Sequence, residues 1–300
     1  MLEWKTPELE DGKWIRPIVA QSGNMGSDLA FANMFLLREK YDIKICNYKD
    51  FLIRKYSGKG TRKGYTFPVG IGNVDKALKE LEAEAAAYGE GLRFAFVTEE
   101  QKKTLEQLRP GKFSFCEDPG DFDYIYSRQD LALLSGKSYH KKKNHVSRFV
   151  REYPEFRYEE IGHCNVDDAM TVEDGWYYDH IQNEDSSQLL EFNSIKEALN
   201  NYEELELCGG IIYAEGVAVA MTIASKISDS VVDVHFEKAI GQYAVNGGYA
   251  AINNMFAKSL NGAEWLNREE DINIEGLRKA KQSYHPKILL KKYCAIEKEV

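Results

Sequence analysis

The chain has 300 residues, 43% hydrophobic and 12% aromatic, with a formal charge of −9 at pH 7. This content can bury a large core, favours two domains over one and excludes a disordered chain, while the acidic balance excludes a uniformly basic nucleic-acid binder but allows a local basic patch. No apolar run approaches the roughly 20 residues of a membrane span, Met1-Leu-Glu-Trp-Lys lacks the apolar core of a signal peptide, and five dispersed cysteines without a CxxC pair fit reduced thiols. The expectation is a cytoplasmic protein with no transmembrane segment and no metal site.

In the N-terminal half the pattern predicts helices at 13–21 and 28–37, then strands at 41–47, 51–56 and 65–69. A helix at 74–88, a strand at 93–97, a helix at 99–108 and a strand at 113–117 follow. Asn73 and Thr98 are suitable N-caps, and Gly89 and Gly91 end the long helix. From Leu131 to Arg151 there is no acidic residue. At helical spacing Lys141, Asn144, Arg148 and Arg151 form one stripe and Val146, Phe149, Val150 and Tyr153 the opposite face. With Lys137 ahead of it, this helix presents a basic edge suited to phosphates or another polyanion.

The C-terminal half predicts a strand at 156–161, helices at 166–182 and 189–202, and strands at 205–213 and 217–227 joined by the turn Ala214-Glu215-Gly216. A strand at 231–239, a helix at 249–260, a short strand at Trp265, a helix at 277–282 and a strand at 288–296 complete it. Most of the element order occurs twice. The expected class is therefore α/β (α+β), one fold used in tandem, with domains at 1–125 and 154–300 and a basic linker helix at 126–153.

Three places carry chemistry. Within 231–239, Val232, Val234 and Phe236 alternate with Asp233, His235 and Glu237, so one face offers two carboxylates and an imidazole, and Glu237 or His235 would take a proton from an attacking nucleophile. Next, Asn246, Gly247 and Gly248 open a helix, where backbone N–H groups would hold an anionic group of a cofactor. Last, Asn267, Glu269 and Asp271 at a strand end, with Arg278 and Lys281 on the following helix, gather carboxylates and cations suited to binding a substrate, because open α/β sheets bind ligands at such edges. Tyr284 just beyond would act as an acid toward a leaving group or pack its ring against the sheet.

Several of these stretches resemble the family named for the C-terminal domain of phosphatidylglycerol lysyltransferase. They are Tyr126-Ser127, Asp130-Leu131, Gly136-Lys137, His140-Lys141-Lys142-Lys143-Asn144, His235-x-Glu237-Lys238-Ala239, Asn267-Arg-Glu-x-Asp271 and Leu277-Arg278-x-x-Lys281-x-x-Tyr284-x-Pro286. The resemblance covers nearly the whole chain and implies two tandem acyltransferase folds of the GNAT type, mixed sheets flanked by helices. It also implies transfer of an aminoacyl group from aminoacyl-tRNA to an amine or hydroxyl of a small-molecule or peptide acceptor, with Lys137, Lys141, Arg148 and Arg151 facing tRNA phosphates. Two alternatives stay open, an acyl-CoA-dependent N-acetyltransferase and a non-catalytic ligand-binding module. The chain departs from the family in lacking a multi-span membrane region, so a lipid acceptor is unsupported. The CoA loop Gln/Arg-x-x-Gly-x-Gly/Ala is matched only in part, since Val245 and Gly247 follow Gln242 at its glycine positions.

Overall fold

A computed structural model of the chain describes residues 2–58, 62–180 and 186–298. The end of the helix expected at 166–182 lies outside the described residues. The helices are α1 (Gly12–Ser22), α2 (Phe31–Leu36), α3 (Val74–Ala87), α4 (Glu99–Leu108), α5 (Arg128–Leu133) and α6 (His140–Glu152). They continue as α7 (Val166–His180), α8 (Ser186–Asn200), α9 (Gly241–Val245), α10 (Gly248–Ser259) and α11 (Glu275–Gln282). The strands are β1 (Lys44–Tyr48), β2 (Phe51–Ser57), β3 (Lys63–Thr66), β4 (Val69–Gly70), β5 (Arg93–Val97), β6 (Phe113–Glu117) and β7 (Asp123–Ser127). After them come β8 (Arg157–Glu160), β9 (Leu207–Ala214), β10 (Val217–Lys226), β11 (Val231–Ala239), β12 (Trp265–Asn267), β13 (Ile288–Leu290) and β14 (Tyr293–Glu297).

The chain divides into two units, the first made of residues up to Asp123 with 270–278 and the segment from Leu289 on, the second of 124–269 and 279–288. The first unit's sheet runs β1-β2-β3-β5-β14-β6, with β4 on β2. Only β3 and β5 are parallel there, joined by the crossover helix α3, whose Leu78 and Leu81 pack with Ile53, Phe94 and Leu105 in the core. Both expected caps form: the Asn73 side chain accepts the N–H of Lys76, and Thr98 makes a capping box with Gln101.

The parallel pair ends at Thr66 and Ala95. The next residue, Phe96, has φ +56° and lies near Tyr56, Arg62 and Lys292. These polar groups are paired within the same unit: Arg62 with Asp121 and Glu270, Lys292 with Asp123 at 2.6 Å and with Asp28, which also takes Arg54.

The strand expected at 288–296 is two strands, β13 and β14, separated at Lys291 and Lys292. The second lies between β5 and β6, so the chain's C-terminal segment belongs to the first unit rather than to a domain 154–300. Lys292 breaks the run because its ammonium is buried against Asp123 and Ser27. The segment expected as a linker, 126–153, starts inside β7 and belongs wholly to the second unit.

The second sheet runs β13-β7-β12-β11-β10-β9-β8. On one face α10 packs with α5 and α6, burying Phe149, Ile252, Phe256 and Leu266; α7 packs on β10 and β11. No helix among the described residues is long and apolar enough to cross a membrane.

Candidate active site

Strand β11 pairs with β10 along nearly its whole length but with its parallel neighbour β12 only through Val231–Trp265, Val232–Leu266 and Asp233–Asn267. From Val234 to Ala239 no strand among the described residues lies on that side, because β12 stops and its chain turns away as Arg268 and Glu269. Two parallel strands thus fork at their C-terminal ends, the position at which open sheets receive ligands.

A bulge shapes this fork. Ile223 and Ala224 of β10 face Phe236 and Val234, leaving His235 as the extra residue of β11. One extra residue exchanges the faces of everything that follows. Val232 and Val234 pack with Phe256 of α10, and beyond the bulge it is Glu237 and Ala239 that face α10, Glu237 bonding Asn253 and Ala239 packing with Ala251 and Ile252. The expectation that Asp233, His235 and Glu237 share one face is therefore corrected: Glu237 is on the α10 face, apart from the other two.

Both oxygens of Glu237 are engaged there. Oε1 accepts Nη2 of Arg268 at 2.9 Å and Oε2 accepts Nδ2 of Asn253 at 3.0 Å. The Arg268 guanidinium lies 4.8 Å from the ring centre of Tyr284 and 5.7 Å from that of Tyr126, and the Lys142 ammonium sits 3.8 Å over Tyr284. Burial, and then the neighbouring charge of Arg268, push the Lys142 ammonium down to about 8, with Glu237 opposing the shift. Burial pushes the Tyr284 phenol up to about 12, with Arg268 opposing, so it stays protonated at neutral pH. Its ring is packed edge-on against Tyr126 in the core. The ring of Tyr284 thus packs in the core, while its hydroxyl shares a hydrogen bond with Arg268. Lys281 supports the same cluster from behind: its ammonium donates to the carbonyl of Arg268, and its own carbonyl accepts the Tyr126 hydroxyl.

Arg268, Asn253 and Lys142 are not among the expected site residues, although Arg268 and Lys142 lie in stretches that carry the resemblance. Lys142 left a signal, since 142, 146, 149 and 153 share a helical stripe and a lysine there interrupts the apolar face. In the structure Lys142 is half-buried, whereas Val150, expected on that face, is exposed.

On the opposite face His235 is buried, its Nε2 2.8 Å from Ser225 Oγ and its Nδ1 3.2 Å from Glu269 Oε1 and 3.4 Å from Asp233 Oδ2. The Asn267 side chain accepts the N–H of Glu269 and thereby sets the turn that aims it, with Glu269 at φ +57°. One ligand atom from each of Asp233, His235 and Glu269 lies within 4.8 Å of the others, a spacing that would suit a divalent cation, although both imidazole nitrogens already have partners. Further along, Lys238 holds its ammonium 3.3 Å over the Trp176 ring and bonds Glu191. Beneath lies Glu173 of α7, only 1% exposed, with neither carboxylate oxygen hydrogen-bonded among the described residues. Burial pushes its carboxyl up to about 7, opposed by Lys238.

The other expected residues divide. Asp271 and Arg278 lie in the first unit and close on each other, Nε to Oδ2 at 2.7 Å and Nη2 to Oδ1 at 2.8 Å, with Asp271 fully buried. The Asn246 side chain bonds Arg148, Gln242 and Tyr153. Gly247 has φ +104°, and a Cβ there would stand 2.3 Å from the His145 carbonyl oxygen, so this glycine serves the contact between α10 and α6. Gly248 is buried just behind it. Arg148 therefore points to α10, while Lys137, Lys141 and Arg151 are exposed; Arg151 meets only its neighbour Glu152, and Lys137 and Lys141 have no acidic partner among the described residues.

This architecture recurs in solved structures. A conserved protein of unknown function from Bacteroides thetaiotaomicron is 35% identical with TM-score 0.90, over 99% of this chain and 100% of that one. L-PGS from Bacillus licheniformis is 15% identical with TM-score 0.67, over 99% and 94%. FemX is 10% identical with TM-score 0.62, over 98% and 97%, a likeness of fold that agrees with the expected α/β architecture of two mixed sheets flanked by helices. No curated protein sequence matches the chain. The model of the family described as phosphatidylglycerol lysyltransferase, C-terminal, matches residues 19–296, and the chain belongs to that family.

Proposed function

We infer that the protein is an aminoacyltransferase, moving an aminoacyl group from aminoacyl-tRNA to an amine or hydroxyl of a small-molecule or peptide acceptor. Family membership supports the reaction class, and the observation that carries the reading to this chain is the fork of β11 and β12, with an anchored carboxylate, Glu237, on its edge. The acceptor's nitrogen or oxygen attacks the ester carbonyl carbon, the new C–N or C–O bond forms, and the bond from that carbon to the ribose oxygen of the tRNA breaks. The acceptor gives up a proton, and the leaving ribose oxygen gains one.

Glu237 is the group we assign to receive the acceptor's proton. Arg268 and Asn253 orient it, each using one lone pair of a different oxygen and leaving others for the acceptor. His235, buried in its bonds to Ser225 and Glu269, acts as a positioning residue for the mouth of the fork. Lys137, Lys141 and Arg151 would meet tRNA phosphates. The acyl-CoA reading has less support, because the Asn246 side chain at the start of α10 is held by three neighbours and Gly247 presses on α6.

The test is transfer of radiolabel from total aminoacylated tRNA to a mixture of amines and peptides. Wild type should give acid-stable labelled product, and Glu237→Gln with an unchanged melting temperature should lose most of it. Transfer undiminished in that variant removes Glu237 from the chemistry, and labelling from acyl-CoA alone would replace the donor.

A further inference from the structure

We propose that Arg268 and Lys142 form a subsite for an oxyanion-bearing group, a carboxylate or a phosphate, held over the ring of Tyr284 beside Glu237. It deepens the transferase reading, on which it rests for its meaning, by giving an anionic part of a substrate a place next to the reacting groups.

Arg268 spends Nη2 on Glu237 and also makes a side-chain hydrogen bond with Tyr284, while its Nη1 is buried without any acceptor among the described residues. A guanidinium donor removed from water and left unpaired is costly, and an oxyanion is the partner whose geometry suits it. Lys142 reaches the same aromatic ring from α6 and has no carboxylate partner among the described residues. One carboxylate, Glu237, thus faces two cations, and the cluster carries a positive excess partly shielded from water. Burial first, and then the charge of Arg268, depress the Lys142 ammonium, and an arriving anion would offset both. Asn253 adds a detail: its Oδ1 is buried without a donor while its Nδ2 holds the other oxygen of Glu237. Two unsatisfied atoms of opposite sense therefore flank one carboxylate, which suits an anion carrying a hydroxyl or amine beside it.

The titratable groups facing Lys142 among the described residues are Arg268 beyond β12, Glu237 on β11 and Tyr284 after α11, whose ring in turn packs on Tyr126 of β7. Both phenols are pushed well above the neutral range by burial, so between pH 6 and 10 Lys142 is the group whose charge changes.

The experiment titrates the full chain with sulfate and with acetate by calorimetry at constant ionic strength, at pH 6.5 and 9.5, where neither probe changes its charge. Wild type should bind one anion saturably and about tenfold more weakly at the higher pH, as Lys142 loses its proton. Lys142→Met should weaken binding about tenfold at pH 6.5, Lys142→Arg should keep it at both pH values, and Lys143→Met, an exposed neighbour, should leave it unchanged. Preference for acetate assigns a carboxylate and preference for sulfate a phosphate. Absence of saturable binding, equal binding by Lys142→Met and wild type, or an equal loss in Lys143→Met overturns the proposal. Because no donor or acceptor is present, that result leaves the label-transfer test of the reaction standing.

Discussion

Glu173 offers a sharp test of how this fold handles charge. Its carboxyl, on α7 beneath Lys238, stands at about 7 against an ordinary value of 4.5. At about 1.4 kcal/mol per pH unit the gap corresponds to about 3 kcal/mol. The folded state binds this proton more tightly than the unfolded chain, so the contribution is fully present below pH 4.5, declines as pH rises and is lost above about 7. Glu173→Gln keeps the shape and removes the titration. Urea unfolding of both proteins between pH 4.5 and 8.5 should show the variant gaining up to about 3 kcal/mol relative to wild type across that window, a figure in which the attraction of Lys238 for the ionised carboxylate is already counted. Lys196, Asp174 and Glu191 also contribute to this environment and are retained in both proteins. A difference that stays constant with pH, or one that shifts in favour of wild type as pH rises, would refute the claim that Glu173 is buried without a hydrogen-bonding partner among the described residues.

Gly247→Ala should destabilise the second unit by more than about 2 kcal/mol in urea unfolding, since the new methyl meets the His145 carbonyl at a positive φ. Wild-type stability in that variant would mean that α10 and α6 can move apart. Lys141→Glu with Arg151→Glu should weaken binding of aminoacylated tRNA about tenfold or more at low salt and flatten its salt dependence, without lowering the melting temperature; filter binding across a salt series reads this, and an unchanged slope would sink the role of α6. Arg148 is left out of that pair because it anchors Asn246.

Much of the local structure was legible because it is local. β5, α4, β6 and β11 occupy the residues that hydrophobic periodicity and capping assign. What escaped depends on partners distant in the chain. The bulge at His235 leaves no trace in the alternation of residue types, since Val, Asp, Val, His, Phe and Glu follow one another whether or not a residue is skipped in the pairing; the registry of β10 decides it. The place of β14 between β5 and β6 was equally hidden, because Lys292 reads as a charged interruption until Asp123 and Asp28 are seen around it. β7 is split by the expected boundary at 125 and 126 for the related reason that it begins at Asp123, whose burial needs that lysine. The polar crowd at 267–281 was visible as a crowd, but which members face a ligand was not. Asp271 and Arg278 satisfy each other, and the unassigned Arg268 between two assigned residues is the one with a hydrogen to give.

The parting of β3 and β5 in the first unit bears on stoichiometry. Around Phe96 the chain supplies both signs of charge from its own residues, Arg54, Arg62 and Lys292 against Asp28, Asp121, Asp123 and Glu270. A ligand entering there could only displace one ion pair in favour of another, and it would meet again the desolvation cost that folding has already overcome. In the second fork Nη1 of Arg268 is without an acceptor among the described residues. On the reading proposed above, duplication of the fold does not duplicate the capacity to bind, and an anion should saturate at one equivalent per chain.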